Sequence, residues 1–370
     1  MDTNPKMHNY SPLPICDCHA HLLYSKPIDN SVDDVRKAMH HFNLDKIMIL
    51  SVPNLDDTEN CKTFYCKEKL SGKVFASAGI HHYFDERDTS DYYLNEIKKY
   101  HAMGCDGIKM LEGKMELYRR LKTGYLDSEV FDKFYAYAQE NSIPILMHLG
   151  DPLSCWDMSQ ISQYALDNGW ACTEDDPTRE ELREEVLNVL KKFPRLHLIM
   201  AHFNFMADEL ERVSELFDTY ENLCYDLTPG GEMFVKFSEN PEKAKEFFIK
   251  YQDRLLYGTD LYNFAPSDMR IENEVSGVRV NQLRSFLEKT ESFIAPLLSE
   301  DPIIPLGLDE NILDKIYRTN FTRIYGQMPR KVNYSLVAEE CRRVLSEREL
   351  DKTMADNVKA ILDFFLKTCD

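Results

Sequence analysis

The 370-residue chain carries 44 Lys and Arg against 63 Asp and Glu, a formal net charge of −19, and is 43% hydrophobic with 20 Phe and 20 Tyr. That apolar content can bury enough surface to offset chain entropy, which excludes a disordered chain, and the acidity speaks against nucleic acid and membrane surfaces, whose phosphates draw on clustered Lys and Arg. Length alone, at about 150 residues per domain, suggests two domains, although α/β barrels commonly reach roughly 250 residues as one.

The first eight residues, Met-Asp-Thr-Asn-Pro-Lys-Met-His, lack the basic start and apolar core of a signal peptide, and no apolar run approaches the ~18 residues of a membrane span. A cytoplasmic location is expected. The ten cysteines are irregularly spaced, which fits a reducing compartment, and neither Cys16/Cys18 nor Cys61/Cys66 has zinc-ribbon spacing.

Short runs rich in Ile, Val, Leu and Met then alternate with longer segments of helical period. The candidate strands are Ile15 to Leu22, Lys46 to Val52, Val74 to Ile80, Gly107 to Leu111, Pro144 to Gly150, His197 to Phe203, Leu223 to Thr228 and Leu255 to Asp260. Between them lie amphipathic helices such as Ser31 to Phe42 and Asp127 to Glu140, and one that begins at Thr178, where Thr178 and Glu181 make a capping box. Such βα alternation argues for a parallel sheet covered by helices. Three connections are longer than a βα turn needs: Glu112 to Leu126, Asp151 to Pro177 and Leu261 to about Val280. All follow the carboxyl ends of strands, where such folds place ligands. Gln282 to Leu298, Asp309 to Tyr325 and a hairpin over Tyr334 to Thr368 read as helical, the last as an appendage or a homo-oligomer contact.

His19, His21, His148 and His202 fall at the last turns of candidate strands, and Asp260 ends the eighth. Strand alternation puts Asp17, His19 and His21 on one face, so the HxH pair can chelate one ion, and neutral imidazoles with a carboxylate suit Zn²⁺ and other transition metals. In an open doubly wound sheet the first and eighth strands are not neighbours. Closing a (β/α)8 barrel sets them side by side and converges His19, His21 and Asp260.

With that constellation the chain resembles the amidohydrolase superfamily, in particular its amidohydrolase-2 branch of metal-dependent TIM-barrel enzymes. The resemblance rests on Asp17-Cys-His-Ala-His21, Ala78-Gly-Ile-His81, Gly107-Ile-Lys-Met, Pro144-Ile-Leu-Met-His148, Ile199-Met-Ala-His202, Tyr225-Asp-Leu-Thr228, Tyr257-Gly-Thr-Asp260 and the run Ile316 to Gly326. It implies a barrel over residues 13–326 with a C-terminal helical extension over 327–370. It also implies His19, His21, His148 and Asp260 as metal ligands, Asp260 also handling a proton, and His202 as a ligand or a substrate-facing acid/base. The implied cofactor is one divalent ion, zinc first, with Mn, Fe or Ni as alternatives, and Lys109 lining the pocket unmodified. The implied reaction is attack of a metal-activated water on an amide, ester or lactone carbonyl of a small carboxylate-bearing substrate. Some members of this branch are instead non-hydrolytic decarboxylases of aromatic or unsaturated acids. Lys109, His81, Arg120 and Trp156 are the candidate substrate contacts, and Asp226 and Thr228 are expected to support the ligands rather than react.

Overall fold

The computed structural model describes residues 10–22, 26–122, 124–229, 233–262, 275–295 and 299–368. Most of the connection from Leu261 to Val280 lies outside them. All eight expected strands form: β1 (Ile15–Ala20), β2 (Leu44–Leu50), β3 (Val74–Gly79), β4 (Gly107–Gly113), β5 (Ile145–Leu149), β6 (Leu198–Met200), β7 (Leu223–Asp226) and β8 (Leu255–Leu256). Each pairs in parallel with the next, in sequence order. Backbone hydrogen bonds from Cys18 N to Tyr257 O (2.9 Å), Asp260 N to His19 O (2.7 Å) and His21 N to Leu261 O (2.6 Å) close the ring between β1 and the segment after β8. The result is a TIM barrel, with no free sheet edge between the first and last strands.

Alternation along each strand divides the core in two. Val74, Ala76, Ile108 and Met110 belong to a large cluster shared with the surrounding helices. Cys16, Met48, Phe75, Leu146, Ile199 and Leu256 form a smaller one with Phe321 and Tyr325. Phe75 meets Phe321 edge-on at 5.0 Å, an aromatic geometry favoured beyond its area burial. The helix Arg179–Lys192 begins as its sequence implies, with the Thr178–Glu181 capping box formed. The chain after Glu288 departs from expectation. Helix Val275–Glu288 stops there, and Phe293–Ala295 pairs antiparallel with Ser299–Ile303; Pro296 disfavours helical backbone at the residue before it.

Two helices, Tyr334–Glu347 and Lys352–Thr368, form the C-terminal hairpin and pack on helices Glu59–Lys69 and Ser90–Met103 of the barrel wall. Val337, Cys341, Val344, Val358, Ile361 and Phe365 join the large core cluster. Beside them the buried Glu340 receives Arg343 (2.7 Å) and Lys99 (3.1 Å). Burial alone would raise the Glu340 carboxyl, but Arg343 and Lys99 outweigh it and hold it at about 2. A depressed carboxylate contributes stability above its ordinary value of 4.5 and loses it as pH falls toward 2, here on the order of 3 kcal/mol. Urea midpoints measured at pH 7, 4.5 and 2.5 are therefore expected to fall steeply in the wild type, and less steeply in Glu340→Gln, which starts lower at pH 7. Among the described residues, no helix is long and apolar enough to cross a membrane.

Candidate metal centre

The site lies at the carboxyl ends of the strands, where three local departures from regular structure aim the side chains. In β1 the register against β2 shifts between Asp17 and Ala20, so Cys18 packs with Cys16 in the small cluster while Ala20 packs in the large one. The single face expected for Asp17, His19 and His21 is thereby broken. Asp17 is buried apart from the cleft, accepting from Thr259 Oγ1 (2.5 Å) and His19 N (3.0 Å) and so pinning β1 to the end of β8. After β6 the backbone turns left-handed at His202, Phe203, Asn204 and Phe205, with φ between 50° and 55°. That conformation costs L-residues roughly 1–2 kcal/mol each and persists only where surroundings enforce it. It ends the ladder at Met200, short of the expected Phe203, and swings His202 over the barrel. Asp260 is the third departure, at φ 54°.

His19 Nε2 and His21 Nε2 stand 3.7 and 3.5 Å from Asp260 Oδ1. Among the described residues these three form a group whose ligand atoms lie within 4.8 Å of one another. His148 and His202 complete the ring: His202 is 5.4 Å from His19 and 5.0 Å from His148, centroid to centroid. Each imidazole of the HxH pair is held by its other nitrogen, His21 Nδ1 on Leu50 O at 2.8 Å and His19 Nδ1 on Asp226 Oδ2 at 2.7 Å. Nδ1–H donation to these acceptors leaves both Nε2 lone pairs directed at the centre, the usual support of a metal-bound histidine. The fully buried Asp226 also accepts from the backbone N–H of His202 (2.8 Å) and Thr228 (3.1 Å). The expected supporting role of Asp226 and Thr228 thus has a geometry.

The donor set fits a divalent ion. Among the described residues, His148 Nε2, 3.7 Å from Asp151 Oδ1, and His202 Nδ1 are buried without a hydrogen-bond partner, a cost the fold sustains where a ligand satisfies them. Burial, with Lys109 next, holds His19 well below the ordinary imidazole range; burial and the neighbouring His19 take His21 to about 3. Burial also lowers His148 and His202. All four are therefore neutral near pH 7, the form that coordinates metal. Burial opposes ionisation of Asp260, but Arg279, at 2.5 Å from Oδ2, outweighs it and holds the carboxyl well below the usual range.

These groups open into a shared cleft. Lys109, taken by burial to about 8, lines it, as do Lys114, Trp170, Phe205, Tyr262 and Arg279. Lys114 sits 2.7 Å from Asp151 and 3.9 Å from the centre of the Trp170 ring. The other expected substrate contacts are held elsewhere. His81 is buried between Asp57 and Glu340, Arg120 lies on the Phe84 ring at the surface, and Trp156 donates to Pro177 O. No strand end or motif marks Arg279 or Phe205 in the sequence.

Gly258 has a steric role here. A Cβ on it would lie 2.5 Å from Thr228 Oγ1 and 3.1 Å from His19 Cβ. Gly258→Ala is expected to lose about 1–3 kcal/mol by overpacking and to reduce bound metal with it, checked by denaturant midpoint and elemental analysis of the same preparation.

No curated protein matches the chain. Among solved structures, the fold is similar to 4-oxalomesaconate hydratase from Rhodopseudomonas palustris (12% identity, 85% of this chain and 96% of that one, TM-score 0.53). It is also similar to 2,6-dihydroxybenzoate decarboxylase from Rhizobium (14% identity, 84% and 98%, TM-score 0.52) and 5-carboxyvanillate decarboxylase from Sphingomonas paucimobilis (12% identity, 85% and 99%, TM-score 0.51). Identities this low speak for the fold alone. The amidohydrolase family model matches residues 81–327, from the end of β3 past the final barrel helix and over more than half of the sequence. With that match, the closed parallel barrel and the His-His-Asp centre at its carboxyl face, the chain belongs to the amidohydrolase family.

Proposed function

We propose that the protein is a metal-dependent hydrolase acting at the amide, ester or lactone carbonyl of a small carboxylate-bearing substrate. The observation that carries this reading is the convergence of the His19 and His21 Nε2 atoms on Asp260 Oδ1, with His148 and His202 adjacent, on the floor of a cleft that also presents Lys109 and Lys114. His19, His21, His148 and Asp260 would hold the ion, zinc being the metal best suited to this N/O set. A bound divalent ion supplies Lewis acidity and lowers the pKa of a water toward about 7. Asp260 Oδ1 accepts the proton released as water adds to the carbonyl and returns it to the leaving group. His202, stacked on Phe205 at 5.3 Å, is oriented to donate to the carbonyl oxygen as charge builds there. Lys109 and Lys114 bind the substrate carboxylate, and Trp170 forms the wall beside them. In this reading Lys114 and Trp170, rather than Arg120 and Trp156, contact the substrate.

A second reading, decarboxylation of an unsaturated or aromatic acid, is favoured by one observation. Arg279 makes Asp260 a weak acceptor for a proton from water, and once protonated a strong donor to carbon. The test is a screen of the zinc-loaded enzyme over lactones, amides and aromatic carboxylic acids in ¹⁸O-water. Incorporation of solvent oxygen into product supports hydrolysis. Release of CO₂ without incorporation overturns it in favour of the second reading.

A further inference from the structure

Arg279 stands outside the eight βα units, on helix Val275–Glu288 after the closing strand, yet it reaches back to the strand-end carboxylate of Asp260. Among the described residues its guanidinium makes three contacts. Nη1 donates to Asp260 Oδ2 at 2.5 Å and approaches the Asp260 carbonyl at 3.5 Å, and the group lies 5.4 Å from the centre of the Tyr262 ring. The two oxygens of Asp260 are therefore divided. Oδ2 is committed to Arg279, while Oδ1 faces His19 Nε2 and His21 Nε2. The left-handed backbone at Asp260 and its N–H bond to His19 O fix where the carboxylate starts, and the guanidinium fixes how it is rotated. The helix that delivers Arg279 is itself anchored to the start of the barrel: Arg284 donates to Ser11 O at 2.7 Å and Glu288 accepts from Ser11 N at 2.5 Å.

We propose that Arg279 is a positioning residue that restricts Asp260 to one oxygen at the metal centre, keeping coordination room for water or substrate. This rests on the metal-dependent reading above. A free carboxylate can present one oxygen or both to a cation, and a second bound oxygen fills a position that a reacting group needs. The guanidinium holds the second oxygen away, and its own positive charge sets a limit on how tightly a cation is bound nearby. Removing it therefore strengthens metal binding while weakening catalysis, the opposite of what loss of an ordinary supporting contact does.

The experiment uses the full chain with Co²⁺ alone as the probe, in the wild type, Arg279→Met and Arg279→Lys, each checked for folding by circular dichroism. Wild type is expected to bind one Co²⁺ with a visible d–d band of low coordination number. Arg279→Met is expected to bind it at least as tightly in competition with a chelator, with a weaker band reporting a higher coordination number. Its kcat should fall about 10- to 100-fold at little-changed KM, and Arg279→Lys should recover much of both signals. An unchanged band and affinity in Arg279→Met, with the loss confined to KM, overturns the proposal and makes Arg279 a substrate contact. Absence of stoichiometric Co²⁺ from the wild type overturns the metal-dependent reading itself, and this inference with it.

Discussion

His19→Ala/His21→Ala is expected to purify without stoichiometric transition metal and to lose about a thousandfold or more in turnover, equivalent to roughly 4 kcal/mol of transition-state stabilisation. The two imidazoles supply adjacent Nε2 atoms, each fixed by its Nδ1 partner on Asp226 or Leu50. Among the described residues, His148 Nε2 and His202 Nδ1 are buried without a hydrogen-bond partner. The variant should still fold. Because burial keeps both imidazoles neutral, their removal strips no charge from Asp226 or Asp260, and the space left is polar enough for water to enter. Elemental analysis of protein purified without chelator, beside a thermal melt, separates loss of metal from loss of fold. Retention of a full equivalent of metal in a folded double variant would overturn the assignment of the centre.

Much of this architecture is legible in the residues themselves, for reasons that also set its limits. Strand existence follows from runs such as Lys46 to Val52 and Pro144 to Gly150, whose apolar residues face helices on one side and the barrel interior on the other. Strand ends are less legible. β6 stops at Met200 because four successive residues turn left-handed, and His202, Phe203 and Phe205 carry no glycine-like mark that would announce it. β8 keeps only Leu255 and Leu256 in its ladder, the closure being made by isolated bonds beyond it. The five ligand-type residues are legible because all stand at strand ends or a few residues past them, where topology fixes their location. Arg120, Trp156 and His81 show the converse. Arg120 and Trp156 stand in long loops, whose paths follow no period, and His81, from the third-strand motif, lies just past its strand beside Asp57 and Glu340. The sequence marks Arg120 as a cation near the cleft, but only the fold sets it against Phe84. Arg279, equally unmarked, reaches the centre from a helix that no motif ties to it.

Asp226→Asn provides the sharpest test of how the centre is held, because it changes almost no volume. In the wild type, Asp226 Oδ1 accepts from the backbone N–H of His202 and of Thr228, and Oδ2 accepts from His19 Nδ1. Asparagine can preserve only half of this. With its oxygen kept toward the two backbone donors, its NH₂ points at His19 Nδ1 and imposes the other tautomer, placing a hydrogen on Nε2 where the ligand lone pair belongs. With the amide flipped, its NH₂ faces two backbone donors, and the left-handed turn that carries His202 loses its anchor. The first arrangement leaves more bonds intact and is the one expected. Metal affinity should then fall about 10- to 100-fold, while the thermal midpoint drops by no more than corresponds to about 1–3 kcal/mol. Thr228→Val, which removes only the weaker 3.1 Å partner of His19 Nδ1, should lose far less metal. Equal metal affinity in wild type and a well-folded Asp226→Asn would mean that the His19 tautomer is set by something other than this carboxylate.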